Sequence, residues 1–340
     1  MTNIDQSLNE VCQQFADGRF HLCDIQAVSV TSRRITLTGS ALDEATLTAV
    51  TDHLYTQYPH AEIDTTAVTI LRQPNPTHLT ISVPITDLRA GPGWASEQYS
   101  QLFNGEMVEF LREDGRWAFA RQADGYLGWM YRPYLGLDAP PEATHLVCEP
   151  IGLLQQAPQA DAPLVSRLLG GTAVAVSRSV GEWLCLELCG GLTGWLPANQ
   201  LRARSSVPQD ADAIRQQLIA DARQFTGIPY LWGGRSGYGL DCSGFVQLVY
   251  RLSGITLPRD ADLQMTDGRA VEPPFQPGDL LFFGEDGGHR RISHVGMSLG
   301  GWQMIHSSRS RNGVYEDDVQ AVDHLRESFV GAVSYLEIRD

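Results

Sequence analysis

The pattern of apolar and polar positions changes character three times along the chain. In the first part Leu8, Val11, Cys12 and Phe15 recur at helical spacing, while Asp24 to Val30 and Arg34 to Thr38 alternate as strands. Leu47, Val50 and Leu54 mark one face of a helix running from Leu42 to Tyr58 and ending before Pro59. The order helix, strand, strand, helix, strand predicts a small α/β domain over 1–75. From residue 76 the runs become short, alternating and broken by Gly, Pro and Asp, as in small β barrels. Here Gly115-Arg116-Trp117 followed by Gly128-Trp129 is echoed by Gly181-Glu182-Trp183 followed by Gly194-Trp195, with equal spacing between the tryptophans of each copy. Two copies predict two all-β barrels, 76–140 and 141–203, and barrels this small use Trp117 and Trp183 as core.

After the polar segment 203–210 the period lengthens again. Asp210 or Asp212 can cap a helix whose stripe is Ile214, Leu218 and Phe225 and which ends at Gly227. Leu240-Asp241-Cys242-Ser243-Gly244-Phe245 then delivers a cysteine to the first turn of a second helix, with Phe245, Leu248, Val249 and Leu252 on one face and Gly254 as its stop. Strands from Leu280 onward complete an α+β domain over 208–340, its helices segregated to one side of an antiparallel sheet.

That last domain carries the candidate chemistry. At a helix N-terminus, unpaired N–H groups and the macrodipole favour the thiolate of Cys242, the nucleophilic form. Ile292-Ser293-His294-Val295-Gly296-Met297 and Gln303-Met304-Ile305-His306 look like neighbouring strands, each with one histidine. A Cys, a His to take its proton and a second polar group to orient that His make an activated nucleophile. A lone Cys or His is more often packing than chemistry. The turn Tyr230-Leu231-Trp232-Gly233-Gly234 weighs for chemistry, because its glycines let backbone approach a ligand closely. Zinc is a rival use of Cys242, His294 and His306, but they lack the close pairing of structural zinc ligands; no metal or cofactor is expected.

Charge narrows the partners. The formal net charge of -15 argues against nucleic acid and against anionic lipid or wall polymers held by bulk charge. The polar start Met1-Thr2-Asn3-Ile4-Asp5-Gln6, with no basic cluster or apolar span after it, predicts no export signal, no membrane segment and a cytoplasmic protein. The six cysteines are scattered and expected to be reduced, with Cys185 and Cys189 filling a small β core. His289, Arg290 and Arg291 form a basic loop that is either solvated or an attractor of substrate carboxylates. His21, His53 and His60 share no ligand spacing.

Six motifs in order, Pro229-Tyr230-Leu231-Trp232-Gly233-Gly234, Asp241-Cys242-Ser243-Gly244-Phe245, Leu257-Pro258-Arg259-Asp260, Pro277-Gly278-Asp279-Leu280-Leu281-Phe282-Phe283, His294-Val295-Gly296 and Ile305-His306, resemble the NlpC/P60 family of papain-like cysteine peptidases. Each β repeat resembles a bacterial SH3 domain, the first through Asp87 to Pro92, Gly105 to Val108 and Asp124 to Trp129. The segment Arg34 to Ser40 resembles a BON-type module. The family resemblance implies Cys242 as nucleophile, His294 as general base and acid, and His306 as the third member. It implies as substrate a murein tripeptide or tetrapeptide, cut between γ-D-Glu and the diamino acid, with a free N-terminal L-Ala in peptide recycling.

In the SH3-bearing branch of that family the barrel leans on the cleft, which implies Tyr126 as a substrate contact, and Glu97 is the candidate acidic partner of the amine. Asp241 either caps its helix or also pairs with that amine. Ser243 is a candidate for a substrate carboxylate, Tyr230 for a second oxyanion donor and Trp232 for a cleft wall, against core packing. Ala261 stands where close relatives often carry Ser. A non-catalytic or amidase-type peptidoglycan-binding protein is the alternative, and the oligomeric state is unknown.

Overall fold

The computed structural model describes residues 4–284 and 292–336. The basic loop His289, Arg290, Arg291 lies outside the described residues. The chain forms two compact units, Met1–Leu79 with Met107–Arg132, and Thr80–Glu106 with Pro133–Asp340.

In the first unit, strands Cys23–Val30 and Arg34–Ala41 pair antiparallel, and Glu62–Ile70 pairs parallel with the second of them. Helix Glu44–Gln57 makes the crossover, capped by Asp43, whose carboxylate accepts from the Thr46 N–H. Leu8 and Val11 of helix Ile4–Cys12 close a core with Ile35, Leu37, Val50, Leu54 and Ile63. This is the small α/β fold the pattern implies. One expectation is corrected: Cys12 and Cys23 form a disulfide, while Cys148, Cys185, Cys189 and Cys242 are free and buried. Packing of the first helix on the sheet brings the two Cα atoms to 5.6 Å, within bridging range, and nothing in their spacing along the chain announces it.

The same unit holds the antiparallel meander Met107–Asp114, Trp117–Arg121, Leu127–Tyr131. Trp117, Phe119 and Trp129 pack with Leu42, Leu71, Leu111 and Leu127, so Trp117 is core as expected. Tyr126 precedes the last of these strands. It is 2% exposed, and its ring stands edge-on to Phe20 with centroids 5.5 Å apart.

In the second unit, the hairpin Ile85–Arg89 and Gln98–Phe103 is followed by seven short strands whose spatial order is Leu164–Leu169, Ile151–Gln155, Thr193–Pro197, Trp183–Glu187, Ala173–Val180, His145–Val147, Leu201–Ala203. Val147, Leu154, Leu168, Val174, Leu186 and Leu196 fill their centre, with Cys185 buried. Trp183 departs from expectation. It stays partly exposed while Trp195, at the second position of the repeat, is buried, because Trp183 opens its strand at the rim of the sheet.

The last part has helices Ala211–Gln224 and Cys242–Leu252 against a six-stranded antiparallel sheet ordered Arg269–Val271, Phe329–Ser334, Leu280–Gly284, Ile292–Gly300, Gln303–Ser308, Gly313–Asp318. Phe245, Val246, Leu248 and Val249 of the second helix share a core with Leu280, Phe282, Val295, Met297, Ile305 and Val333. The opposite sheet face packs Leu281, Phe283 and Met304 against Phe275, Val319 and Leu325. Among the described residues no helix is long and apolar enough to cross a membrane.

Candidate active site

Cys242 opens its helix because Asp241, in extended conformation, caps it: the carboxylate accepts from the Gly244 N–H at 2.6 Å. The same carboxylate takes the Gly233 N–H at 2.9 Å, which ties the Tyr230 to Gly234 turn to the helix start. Gly233 has φ +74°, and a Cβ there would stand 2.5 Å from the Gln98 carbonyl oxygen, so both conformation and space demand glycine.

Asp241 is full. The Arg259 guanidinium donates to it at 2.5 and 3.2 Å, to the Ser243 hydroxyl at 2.9 Å and to the Ser100 hydroxyl at 3.1 Å, and the Ser243 hydroxyl reaches Asp241 at 3.3 Å. All four side chains are buried. A carboxylate has about four acceptor sites, and here five donors converge on it. Arg259 thus supplies a cation to the Asp241 carboxylate, and Ser243 is engaged by the same guanidinium.

Residues 98–106 lie against this part of the chain. Gln98 donates to the Trp232 carbonyl at 3.2 Å, and Gln101 accepts from the Arg235 N–H at 3.0 Å. Glu106 binds Arg251 at 2.5 Å. The Trp232 indole N–H donates to Glu97 at 2.9 Å, while the ring is 52% exposed, so Trp232 is a surface wall and not core. Ala261 is buried at the first position of helix Ala261–Asp267.

The two histidines meet. His294 Nε2 and His306 Nδ1 are 2.7 Å apart, and His306 Nε2 is 2.9 Å from Asp317 Oδ2. Register explains it: His294 and Gly296 share a strand face, strand Gln303–Ser308 sets His306 beside Gly296, and the next strand brings Asp317. A Cβ on Gly296 would lie 2.3 Å from Met304 Sδ and 2.9 Å from His306 Cβ, so the glycine after Val295 is the space His306 occupies. Both His306 nitrogens are committed to protein partners, which leaves neither for a metal.

The backbone N–H groups of Ser243 and of Val295, the neighbour of His294, lie beside the Cys242 sulfur and favour its charged form. Here the thiolate expectation is corrected. Burial pushes the thiol up to about 12, Asp241 adds to the rise, and the two N–H groups and Arg259 oppose it without prevailing. Burial likewise drives His294 down to about 3, aided by His306 and His324, and lowers His306 against the opposing pull of Asp317. Burial thus opposes charge on the sulfur and on both imidazoles. The Tyr230 phenol is raised, first by burial and then by Cys242, so it remains a protonated donor near the sulfur.

Cys242, His294, His306, Tyr230, Asp241 and Ser243 thus belong to one neighbourhood of the second unit, with Trp232 and Glu97 paired beside the Gly233 turn. Tyr126 belongs to the first unit, where its ring makes a T-shaped contact with Phe20. Two participants escaped the sequence reading. Asp317 could have been found from strand alternation, two residues beyond Tyr315, the partner of His306. Arg259 stood in a quoted motif, but its contact with Asp241 is visible only in three dimensions.

Comparison with known proteins places these features in context. The family model NlpC/P60 matches residues 227–333. A gamma-D-glutamyl-L-lysine dipeptidyl-peptidase of Bacillus cereus is 31% identical over 71% of this chain and 76% of its own length. Its namesake from Bacillus subtilis is 30% identical over 63% and 74% respectively. A crystal structure of an NlpC/P60 family protein from Bacillus cereus superposes with TM-score 0.67 at 26% identity, covering 76% of this chain and 99% of the other.

Proposed function

Because the chain belongs to the NlpC/P60 family of cysteine peptidases, we propose that it hydrolyses the γ-D-Glu–diamino acid amide of murein tripeptides or tetrapeptides, releasing L-Ala-γ-D-Glu. The observation that carries this is the hydrogen-bonded pair of His294 and His306 on neighbouring strands, with the Val295 N–H beside the Cys242 sulfur. The names of the two Bacillus relatives support the bond and the substrate class.

The chemistry starts from a thiol and imidazoles whose charged forms burial opposes. As the sulfur attacks the amide carbon, its proton passes to His294 and the carbonyl electron pair moves onto oxygen. The Cys242 N–H at the helix start and the Tyr230 hydroxyl are the donors offered to that oxyanion. Collapse breaks the C–N bond as His294 returns the proton to the leaving amine. Water, deprotonated by His294, then cleaves the thioester and restores the thiol.

A free N-terminal amine on the substrate is part of this reading. Asp241 already has Arg259, whereas among the described residues no cation pairs with Glu97, which leaves Glu97 as the carboxylate suited to an ammonium. Tyr126 is retained as a substrate contact through its motif alone, and the two β repeats as SH3-like domains. Recycling of peptides in the cytoplasm follows from that specificity. The Cys12–Cys23 disulfide favours a second setting, outside the reducing cytoplasm, with the same bond cut.

The test is incubation with L-Ala-γ-D-Glu-diaminopimelate, its lysine counterpart and their N-acetylated twins, read by mass spectrometry, beside Cys242→Ala. Cleavage of the free peptides alone, absent in the variant, is expected. Equal cleavage of the acetylated twins removes the amine requirement, and cleavage by Cys242→Ala removes the mechanism.

A further inference from the structure

Asp317 lies on the strand beyond His306 and touches neither Cys242 nor His294, yet its position determines how protons can be arranged in the site. A carboxylate only accepts hydrogen bonds, and Asp317 takes one from the Arg311 guanidinium, 2.7 Å from its Oδ1. Its Oδ2 is 2.9 Å from His306 Nε2, so that nitrogen carries the hydrogen. A neutral imidazole has one N–H, and burial favours the neutral form of both imidazoles. His306 Nδ1 is then an acceptor, and the 2.7 Å contact requires the hydrogen to sit on His294 Nε2. This leaves His294 Nδ1, the ring nitrogen nearer the main chain, with an open lone pair next to the 294–295 peptide, whose N–H lies beside the sulfur.

We propose that Asp317 is a positioning residue which, acting through His306, fixes the proton on His294 Nε2 and keeps Nδ1 as the base for Cys242, while Arg311 orients the carboxylate. This rests on the thiol-hydrolase reading of the site and extends it by two residues beyond His306. The charged and titratable groups around the relay are Asp317, Arg311, His324 and the two imidazoles themselves.

Arg311 makes the proposal sharp. In Asp317→Asn the amide oxygen must face the Arg311 guanidinium, which turns the amide NH2 toward His306 Nε2 and forces that nitrogen to accept. Every proton in the chain then reverses: His306 Nδ1–H donates to His294 Nε2, and His294 Nδ1 becomes an N–H unable to receive the thiol proton. Removing Arg311 as well frees the amide to rotate and restore the original polarity.

The experiment uses the full chain with 15N-labelled histidine, comparing wild type, Asp317→Asn, Arg311→Ala and the double variant. The readouts are the His294 tautomer by NMR, the rate of Cys242 alkylation by iodoacetamide, and kcat and KM on L-Ala-γ-D-Glu-diaminopimelate. Expected are an Nε2–H His294 in wild type and an Nδ1–H His294 in Asp317→Asn. There kcat should fall at least ~100-fold, the scale of a lost general base, with KM little changed. Arg311→Ala should keep the wild-type tautomer, and the double variant should recover at least ~10-fold over Asp317→Asn, a rescue that a merely structural role for Asp317 does not give. An unchanged His294 tautomer and unchanged alkylation in folded Asp317→Asn overturn the proposal. So does an Nδ1–H His294 in the wild type. If the peptide is not cut by wild type, the substrate reading fails, while the tautomer and alkylation readouts still decide this one.

Discussion

Replacing Arg259 by Met should strand the Asp241 carboxylate immediately before the nucleophile Cys242. The pair is buried on both sides, with side-chain exposure of 2% for Arg259 and 8% for Asp241. The substitution removes two hydrogen bonds to Asp241 and one each to Ser243 and Ser100. Breaking a buried pair by deleting one partner costs about 3–5 kcal/mol, because the remaining charge is left uncompensated. The lower end applies here, since Asp241 keeps the N–H groups of Gly233 and Gly244. Asp241→Asn should cost about 2–3 kcal/mol, the amide oxygen preserving the cap while Arg259 loses its anion. The double variant, with neither charge, should be less destabilised than the sum by at least about 2 kcal/mol.

A multidomain chain does not unfold in one step, so the assay must read this part alone. Pulse alkylation of Cys242 along a urea series, read by peptide mass spectrometry, does so. The thiol gives an independent sign: Asp241 raises Cys242 and Arg259 lowers it, so Arg259→Met should slow alkylation of the folded protein and Asp241→Asn should speed it. Additivity of the two substitutions within about 0.5 kcal/mol would refute the view of Asp241 and Arg259 as one coupled unit.

Other outcomes follow from the same geometry. Gly296→Ala forces a Cβ into Met304 and His306; it should destabilise by about 1–3 kcal/mol through overpacking, measured by denaturation, and reduce kcat with KM little changed. The depressed His294 and His306 set a pH dependence: above the ordinary imidazole value both folded and unfolded forms are neutral. As pH falls below it only the unfolded chain takes up these protons, so stability drops by up to about 1.4 kcal/mol per pH unit per histidine, visible in midpoints of urea unfolding between neutral pH and pH 4. A slope unchanged in His294→Asn would remove His294 from that account. Glu97→Gln, which keeps an acceptor for the Trp232 indole but loses the charge, should raise KM for peptides with a free amine and leave that for acetylated peptides unchanged, as steady-state kinetics will show.

Much of the site was legible along the chain. Asp241 as helix cap, Cys242 in the first helical turn, and the two histidine-bearing strands follow from short-range rules, because caps and periodicities act over three or four residues. The nature of the α/β start and of the β-rich middle was written in the same local code. What sequence could not supply were consequences of distance and burial. Arg259 finds Asp241 across the fold, Asp317 is set against His306 by strand register, and Cys12 meets Cys23 only because a helix lies on a sheet. The state of the thiol was decided there too. The helix end alone favours the thiolate, but removing Cys242 from water and placing Asp241 beside it favours the thiol more strongly, and desolvation exists only once the chain has closed around the sulfur.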